Sequence, residues 1–351
     1  MTTSNTMLTT AQPSQSGTGW VVPVDPDVAA NLKFCLINKN FCHYPLARHP
    51  AATPAWLNTR SGKWRGCVLH WHPESIEAIV ILKLPSSALP QCPGLERAPN
   101  RYDMDVLLRL SAMALVAQHG IRHQLAKQAG KKALEGPEDQ FFFKSEIGSM
   151  AYADAFEKID GVGDITLKFN SLRALVRALG RAPDAQSNRA SVTSSLQLWR
   201  RLRVRHRRWH EPSRKVDKRF RPFIEKLQMP RSGRGPVLVK LSAEYMTTLT
   251  TYALKVPFPL PLASEPALNL GLFLPLFLRR PKKPKTCPSY ELQHVCEKLG
   301  IVGNQPWILY GRLGSALKLY NGHLKATKSP SRYHATPRRG SKVRFVKTSR
   351  P

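Results

Sequence analysis

The 351-residue chain carries 54 Lys+Arg against 23 Asp+Glu, a formal charge of +31, with 42% hydrophobic residues. That hydrophobic share can bury real cores and excludes a wholly disordered chain, and the length predicts about two domains. No stretch reaches the ~20 apolar residues of a spanning helix, Leu268–Leu278 being short and interrupted by Pro275. Six cysteines in a chain this long are not a disulfide framework, so a reducing cytoplasm is the expected setting. The charge is one-sided and unevenly placed. Residues 1–165 have a net charge of +1, residues 166–235 of +15, and residues 236–351 of +15. Such a field draws in a polyanion, and nucleic acid is the leading class because cations on phosphates gain affinity by counterion release.

Residues 1–19 lack the positive and apolar regions of a secretory signal. Their Ser/Thr/Gln/Gly composition predicts a disordered tail. Residues 20–99 read as an N-terminal extension of unknown role. Within it, Cys67–Leu84 predicts two strands around a His-Pro-Glu-Ser turn, with Ile79–Leu82 an apolar strand run. Tyr102–Gln118 has the apolar spacing of a helix, with Asp103 and Asp105 suited to its dipole and Gly120 as its stop.

Ile165–Phe169 predicts a strand, Asn170 or Ser171 a helix N-cap, and Leu172–Leu179 a helix stopped at Gly180. Pro183 and Asp184 turn the chain into a second helix, Gln186–Arg200, with Val192, Ser195 or Leu196, and Trp199 inward. A basic strand Arg201–Trp209 follows, then a Pro/Gly loop and a return strand Val237–Leu241. Further on, Ala267–Leu278 predicts an apolar helix kinked at Pro275. Helices are expected over Tyr290–Leu299, ended by Gly300, and over Pro306–Tyr320, opened by Pro306 at its first position. Strands are expected over His323–Lys328 and Lys342–Lys347.

The order "helix, Leu-Gly stop, turn, helix, basic hairpin" therefore occurs twice, about 120 residues apart. Leu179-Gly180 matches Leu299-Gly300, and Leu196-x-Leu198 matches Leu317-x-Leu319. A helix–turn–helix followed by a two-stranded ribbon is a winged helix, whose second helix fits the major groove. The expected fold is α+β, with two tandem winged-helix domains over 100–256 and 257–351. Gln186, Ser187, Asn188, Arg189, Ser191 and Thr193 lie where that helix would meet base edges and phosphates. Arg200, Arg201, Arg203, Arg205, Arg207 and Arg208 crowd the strand that follows. Alternation would put Arg201, Arg203, Arg205 and Arg207 on one face, in bidentate reach of phosphates. Lys325, Lys328, Arg332, Arg338, Arg339, Lys342, Arg344 and Lys347 repeat the arrangement in the second unit.

The stretch SLRALVRALGRAPDAQSNRASVTSSLQLWRRLRV resembles the helix–turn–helix of plasmid replication initiators of the RepA/TrfA type. RYDMDVLLRLSAMAL is similar to their first helix, and VKLSAEYMTTLTTYALKVPFPLPLASEPALNLGLFLPLFL to the segment joining their two domains. The resemblance covers about residues 100–351. It implies binding of double-stranded DNA at plasmid origin repeats, help in opening the origin, and contact with host DnaA and the replicative helicase; self-association is a separate expectation. The expected chain is a non-enzymatic binder without cofactor or membrane attachment. A winged-helix transcriptional regulator is the alternative in the same class.

Two further patterns carry chemistry. His70 and His72 would share a strand face and suit a metal-dependent origin-nicking (HUH-type) enzyme, with Tyr152 as the nearest tyrosine nucleophile. Cys35, Cys42, His43, Cys67, His70 and His72 have donor types for zinc, but their spacing is not that of standard knuckles. No G-x-x-x-x-G-K-[ST] phosphate loop is present, so no ATP hydrolysis is expected.

Overall fold

The structure, a computed structural model, describes residues 12–13, 19–38, 64–68, 79–85, 100–128, 164–201, 203–207, 221–230, 235–250, 253–277, 289–301, 303–338 and 341–349. It is a mixed α+β molecule. Its elements in chain order begin with β1 (Gln12–Pro13), β2 (Gly19–Pro23), α1 (Pro26–Ala30) and β3 (Phe34–Asn38). Next are β4 (Trp64–Val68), β5 (Ile79–Pro85), α2 (Arg101–Gln128), β6 (Asp164–Phe169), α3 (Leu172–Ala178) and α4 (Gln186–Arg201). They continue with β7 (Arg203–Arg207), β8 (Arg221–Pro222), β9 (Ile224–Gln228), β10 (Val237–Leu241), α5 (Ala243–Thr250) and β11 (Ala253–Pro257). The last are α6 (Glu265–Phe277), β12 (Tyr290–Glu291), α7 (Leu292–Leu299), α8 (Pro306–Ala326), β13 (Ser331–Arg338) and β14 (Lys342–Ser349). Among the described residues, no helix is long and apolar enough to cross a membrane.

The repeat read from the sequence has a topological counterpart. In the first unit β6, β10 and β9 are neighbours in that order within a five-stranded sheet. In the second unit β12, β14 and β13 form a three-stranded sheet in the same order. Each time the strand before the helix pair takes the last strand as its partner, antiparallel. The helix pairs match as well. Gly180 and Gly300 both have φ of 69°, a left-handed conformation open to glycine. Just past each glycine an amide reaches back to a carbonyl near the helix end. Arg181 N donates to Val176 O at 3.1 Å, and Ile301 N donates to Cys296 O at 2.8 Å, the Schellman closure. Gly180→Ala is therefore expected to cost about 1–2 kcal/mol from the left-handed backbone alone. A Cβ there would also sit 3.3 Å from the Arg109 guanidinium. Urea melts of the variant check the direction and size.

Helix starts follow local chemistry. Asn100 Oδ1 accepts from the amides of Tyr102 and Asp103, while Asp103 Oδ2 accepts from the Asn100 amide at 2.8 Å, a reciprocal cap. Ser171 caps α3, its Oγ accepting from Ala174 N at 3.1 Å. The apolar faces then close one core, with Leu107, Leu110, Leu175, Val176, Leu196 and Trp199 fully buried.

Several expectations need correction. Gly120 does not stop the first long helix, which runs on to Gln128. Ala117 and Ile121 are buried on either side of it, so packing outweighs the ~1 kcal/mol cost of a helical glycine. The expected strand His323–Lys328 is instead the last turn of α8 and its exit. Leu324 is buried there and continues the face of Leu309, Leu313, Leu317 and Tyr320. The expected hairpin between the arginine strand and Val237–Leu241 does not form. β10 pairs with β9 and β6, whereas β7 joins β4, β5 and β8 in a separate four-stranded sheet.

Segment 20–99 contributes strands and a helix to the first unit. β2 runs parallel to β6, Asp27 on α1 ion-pairs with Arg177 of α3 at 2.6 Å, and β3 pairs with β11. The predicted pair of strands in Cys67–Leu84 is present as antiparallel β4 and β5, with Cys67 opposite Leu82.

Candidate nucleic-acid interface

The helix α4 is fixed from within by α2. Val192, Ser195, Leu196, Leu198 and Trp199 form its buried face. Ser195 Oγ donates to Asp103 Oδ1 at 2.5 Å, and Trp199 Nε1 donates to the Asp103 carbonyl at 2.8 Å. Trp199 then meets Phe223 edge to face at 5.1 Å, and Phe223 meets Tyr245 at 4.9 Å. Tyr245 OH and Ser111 Oγ are 3.0 Å apart, and burial pushes the Tyr245 phenol up despite the hydrogen bond with Ser111.

The turn before α4 is held by the next carboxylate. Asp105 takes Arg109 Nε at 3.0 Å on one oxygen and Arg181 Nη2 at 3.3 Å on the other. Arg109 also lies 4.7 Å over the Phe258 ring. Asp103 and Asp105, expected as dipole partners, are thus both buried and together fix the pose of the helix pair. The sequence signal for this was polar residues on an otherwise apolar helix face.

With its inner face held, α4 turns Gln186, Ser187, Ser191 and Arg200 fully outward, and Asn188, Arg189 and Thr193 half outward. Two of these are partly spoken for. Asn188 Nδ2 donates to the Ala182 carbonyl at 3.0 Å and Arg189 Nη1 to the Pro183 carbonyl at 3.4 Å. They brace the turn, leaving Gln186, Ser187 and Ser191 as the outward hydrogen-bonding set. Arg201 closes α4. Arg203, Arg205 and Arg207 lie on β7, in register opposite Lys83, Ile81 and Ile79. They therefore do not extend the ribbon that follows α4. Arg208 lies outside the described residues.

In the second unit Lys325 and Lys328 are exposed at the end of α8, not on a strand. Lys328 has a φ of 56°. Arg338 and Lys342 are exposed and face each other across the β13–β14 ribbon; Arg344 is half-buried opposite Thr336. Arg339 lies outside the described residues. Arg332 is half-buried and Lys347 exposed on the same ribbon, and sequence reasoning missed the exposed Arg312 and Lys318 of α8. The available signal was compositional: residues 298–351 hold 12 Lys+Arg and no acidic residue.

The donors of the two metal patterns fall mostly outside the described residues: Cys42, His43, His70, His72 and Tyr152 all do. Of the others, Cys35 is buried in β3, and burial together with nearby Asp105 pushes its thiol pKa well up, while Cys67 lies on β4. Among the described residues no group of His, Cys, Asp and Glu could hold a metal ion. Comparison with protein-family models, curated proteins and solved structures finds no match to this chain.

Proposed function

We propose that this chain is a sequence-specific double-stranded DNA-binding protein built on two tandem winged-helix units, and that it serves as a plasmid replication initiator. The observation that carries the reading is the twice-occurring arrangement of strand, helix pair and ribbon with one strand order, inside the +30 carried by residues 166–351. Each unit presents the outer face of its second helix, and α4 offers side chains that donate and accept at base edges. The winged-helix assignment rests on this topology. The initiator role rests on the resemblance of residues 100–351 to RepA/TrfA-type proteins and brings origin repeats, host DnaA and the replicative helicase with it as expectations.

A plasmid-maintenance assay tests the role. A coding sequence for this chain, cloned with its native flanking DNA on a vector lacking any other origin, is expected to yield stable transformants. Ser187→Ala with Ser191→Ala is expected to reduce them sharply, because each good base contact is worth about 1–3 kcal/mol. Absence of transformants with the native chain, alongside sequence-specific duplex binding, would favour the transcriptional regulator.

A further inference from the structure

The two units present unlike surfaces on a like frame. The cores of α4 and α8 superimpose in sequence at an offset of 121 residues: Val192 with Leu313, Ser195 with Ala316, Leu196 with Leu317, Trp199 with Tyr320, all buried. The same offset places Arg312, Gly314 and Lys318 where α4 has Ser191, Thr193 and Gln197. Small donor–acceptor side chains are thereby replaced by two cations and a bare backbone position.

The ribbons differ too. In the first unit Lys240 of β10 is neutralised on both sides, by Asp164 at 2.5 Å and Glu225 at 3.2 Å. Burial alone lowers its pKa, but the two carboxylates outweigh that and raise it. In the second unit the register puts Arg332, Thr336 and Arg338 of β13 on one face with Arg344 and Lys342 of β14. The other face, with Val343, Phe345 and Tyr333, packs on the core; Tyr333 stacks on Tyr320 at 5.8 Å. Arg338 and Lys342 are directly opposed like charges, which destabilise a bare ribbon. The acidic residue on that face is Glu291, 3.6 Å from Lys342. Two exposed cations, Arg338 and Lys342, thus share that face with the exposed carboxylate of Glu291.

We propose that the units divide the work of DNA recognition. The first reads base edges through α4, and the second grips the phosphodiester backbone through Arg312, Lys318 and the β13–β14 ribbon without reading sequence. This rests on the DNA-binding reading above. Phosphate contacts of this kind fix position and supply affinity but carry no sequence information.

The test uses the full chain and a pool of random-sequence duplexes, with rounds of selection followed by sequencing. Three proteins are compared: wild type, an anchor variant (Arg312→Ala, Lys318→Ala, Arg338→Ala, Lys342→Ala), and a reader variant (Gln186→Ala, Ser187→Ala, Ser191→Ala). All seven positions are exposed, and matching thermal melts confirm that each protein is folded. The anchor variant is expected to enrich the wild-type motif while binding selected and unselected duplexes more weakly by one common factor. Its plot of log affinity against log salt flattens by about one unit for each phosphate it no longer holds. The reader variant is expected to lose the motif and keep the salt slope. A changed motif with the anchor variant, or an unchanged one with the reader variant, overturns the division. A wild-type chain that binds no duplex removes the DNA reading itself and the division with it.

Discussion

Replacing Trp199 with alanine is expected to lower the unfolding free energy by about 3–5 kcal/mol, the range for emptying a buried aromatic site. The indole is fully buried between α2 and the β9 side of the sheet, in edge contact with Phe223. Its removal also leaves the Asp103 carbonyl without the 2.8 Å hydrogen bond from Nε1. Two causes can be separated. Trp199→Phe keeps most of the ring volume and removes the N–H, so it should cost about 0.5–1.5 kcal/mol, the net worth of one hydrogen bond. Ser191→Ala on the outer face of the same helix should stay within about 0.5 kcal/mol. Urea unfolding followed by far-ultraviolet circular dichroism reads all three. A change under about 1 kcal/mol for Trp199→Ala, no more than one hydrogen bond contributes, would mean that α4 is not held by this indole. Trp199→Ala should also abolish sequence-specific binding, since a helix that is not held cannot present its outer face.

The helix pairs were legible because their signals are local. Apolar residues at helical spacing, Ser171 as cap, and the Leu-Gly stops each act within a few residues, and Gln186 and Leu172 begin helices where expected. Strand partners were less legible because pairing is a competition among distant segments. Arg201–Trp209 alternates like a ribbon strand, yet its partners are β5, more than 100 residues earlier, and the short β8. Val237–Leu241 pairs instead with Asp164–Phe169 and with Ile224–Gln228, the latter with an irregular burial pattern interrupted by Glu225 and Lys226. Roles of buried polar groups were hidden for a related reason. Nothing local distinguishes Asp103 as a dipole partner from Asp103 as the acceptor for Ser195, 92 residues away. Exposure on α4 was legible, but not that Asn188 and Arg189 bend back to the Ala182 and Pro183 carbonyls.

Duplex affinity is expected to fall by about 10³–10⁵ between 50 and 200 mM salt, the drop for a protein making about 6–10 phosphate contacts. The outward cations of the two units supply such a number. Arg200, Lys318, Lys325, Lys328 and Arg338 are exposed, and Arg332 and Arg344 are half-buried. Not every cation counts. Lys240 is bound to Asp164 and Glu225, and Arg177 to Asp27 at 2.6 Å. A cation already paired with a carboxylate releases little when it meets a phosphate, so Lys240→Ala should leave the salt slope unchanged. Lys318→Ala should flatten it by about one unit. Fluorescence anisotropy of a labelled random duplex of about 30 base pairs, roughly three helical turns, over a salt series provides the slope. A response flatter than about −2 would mean that about two phosphates or fewer are engaged. The charge of residues 166–351 would then face solvent rather than DNA, and the basic surface would lose its standing as the interface.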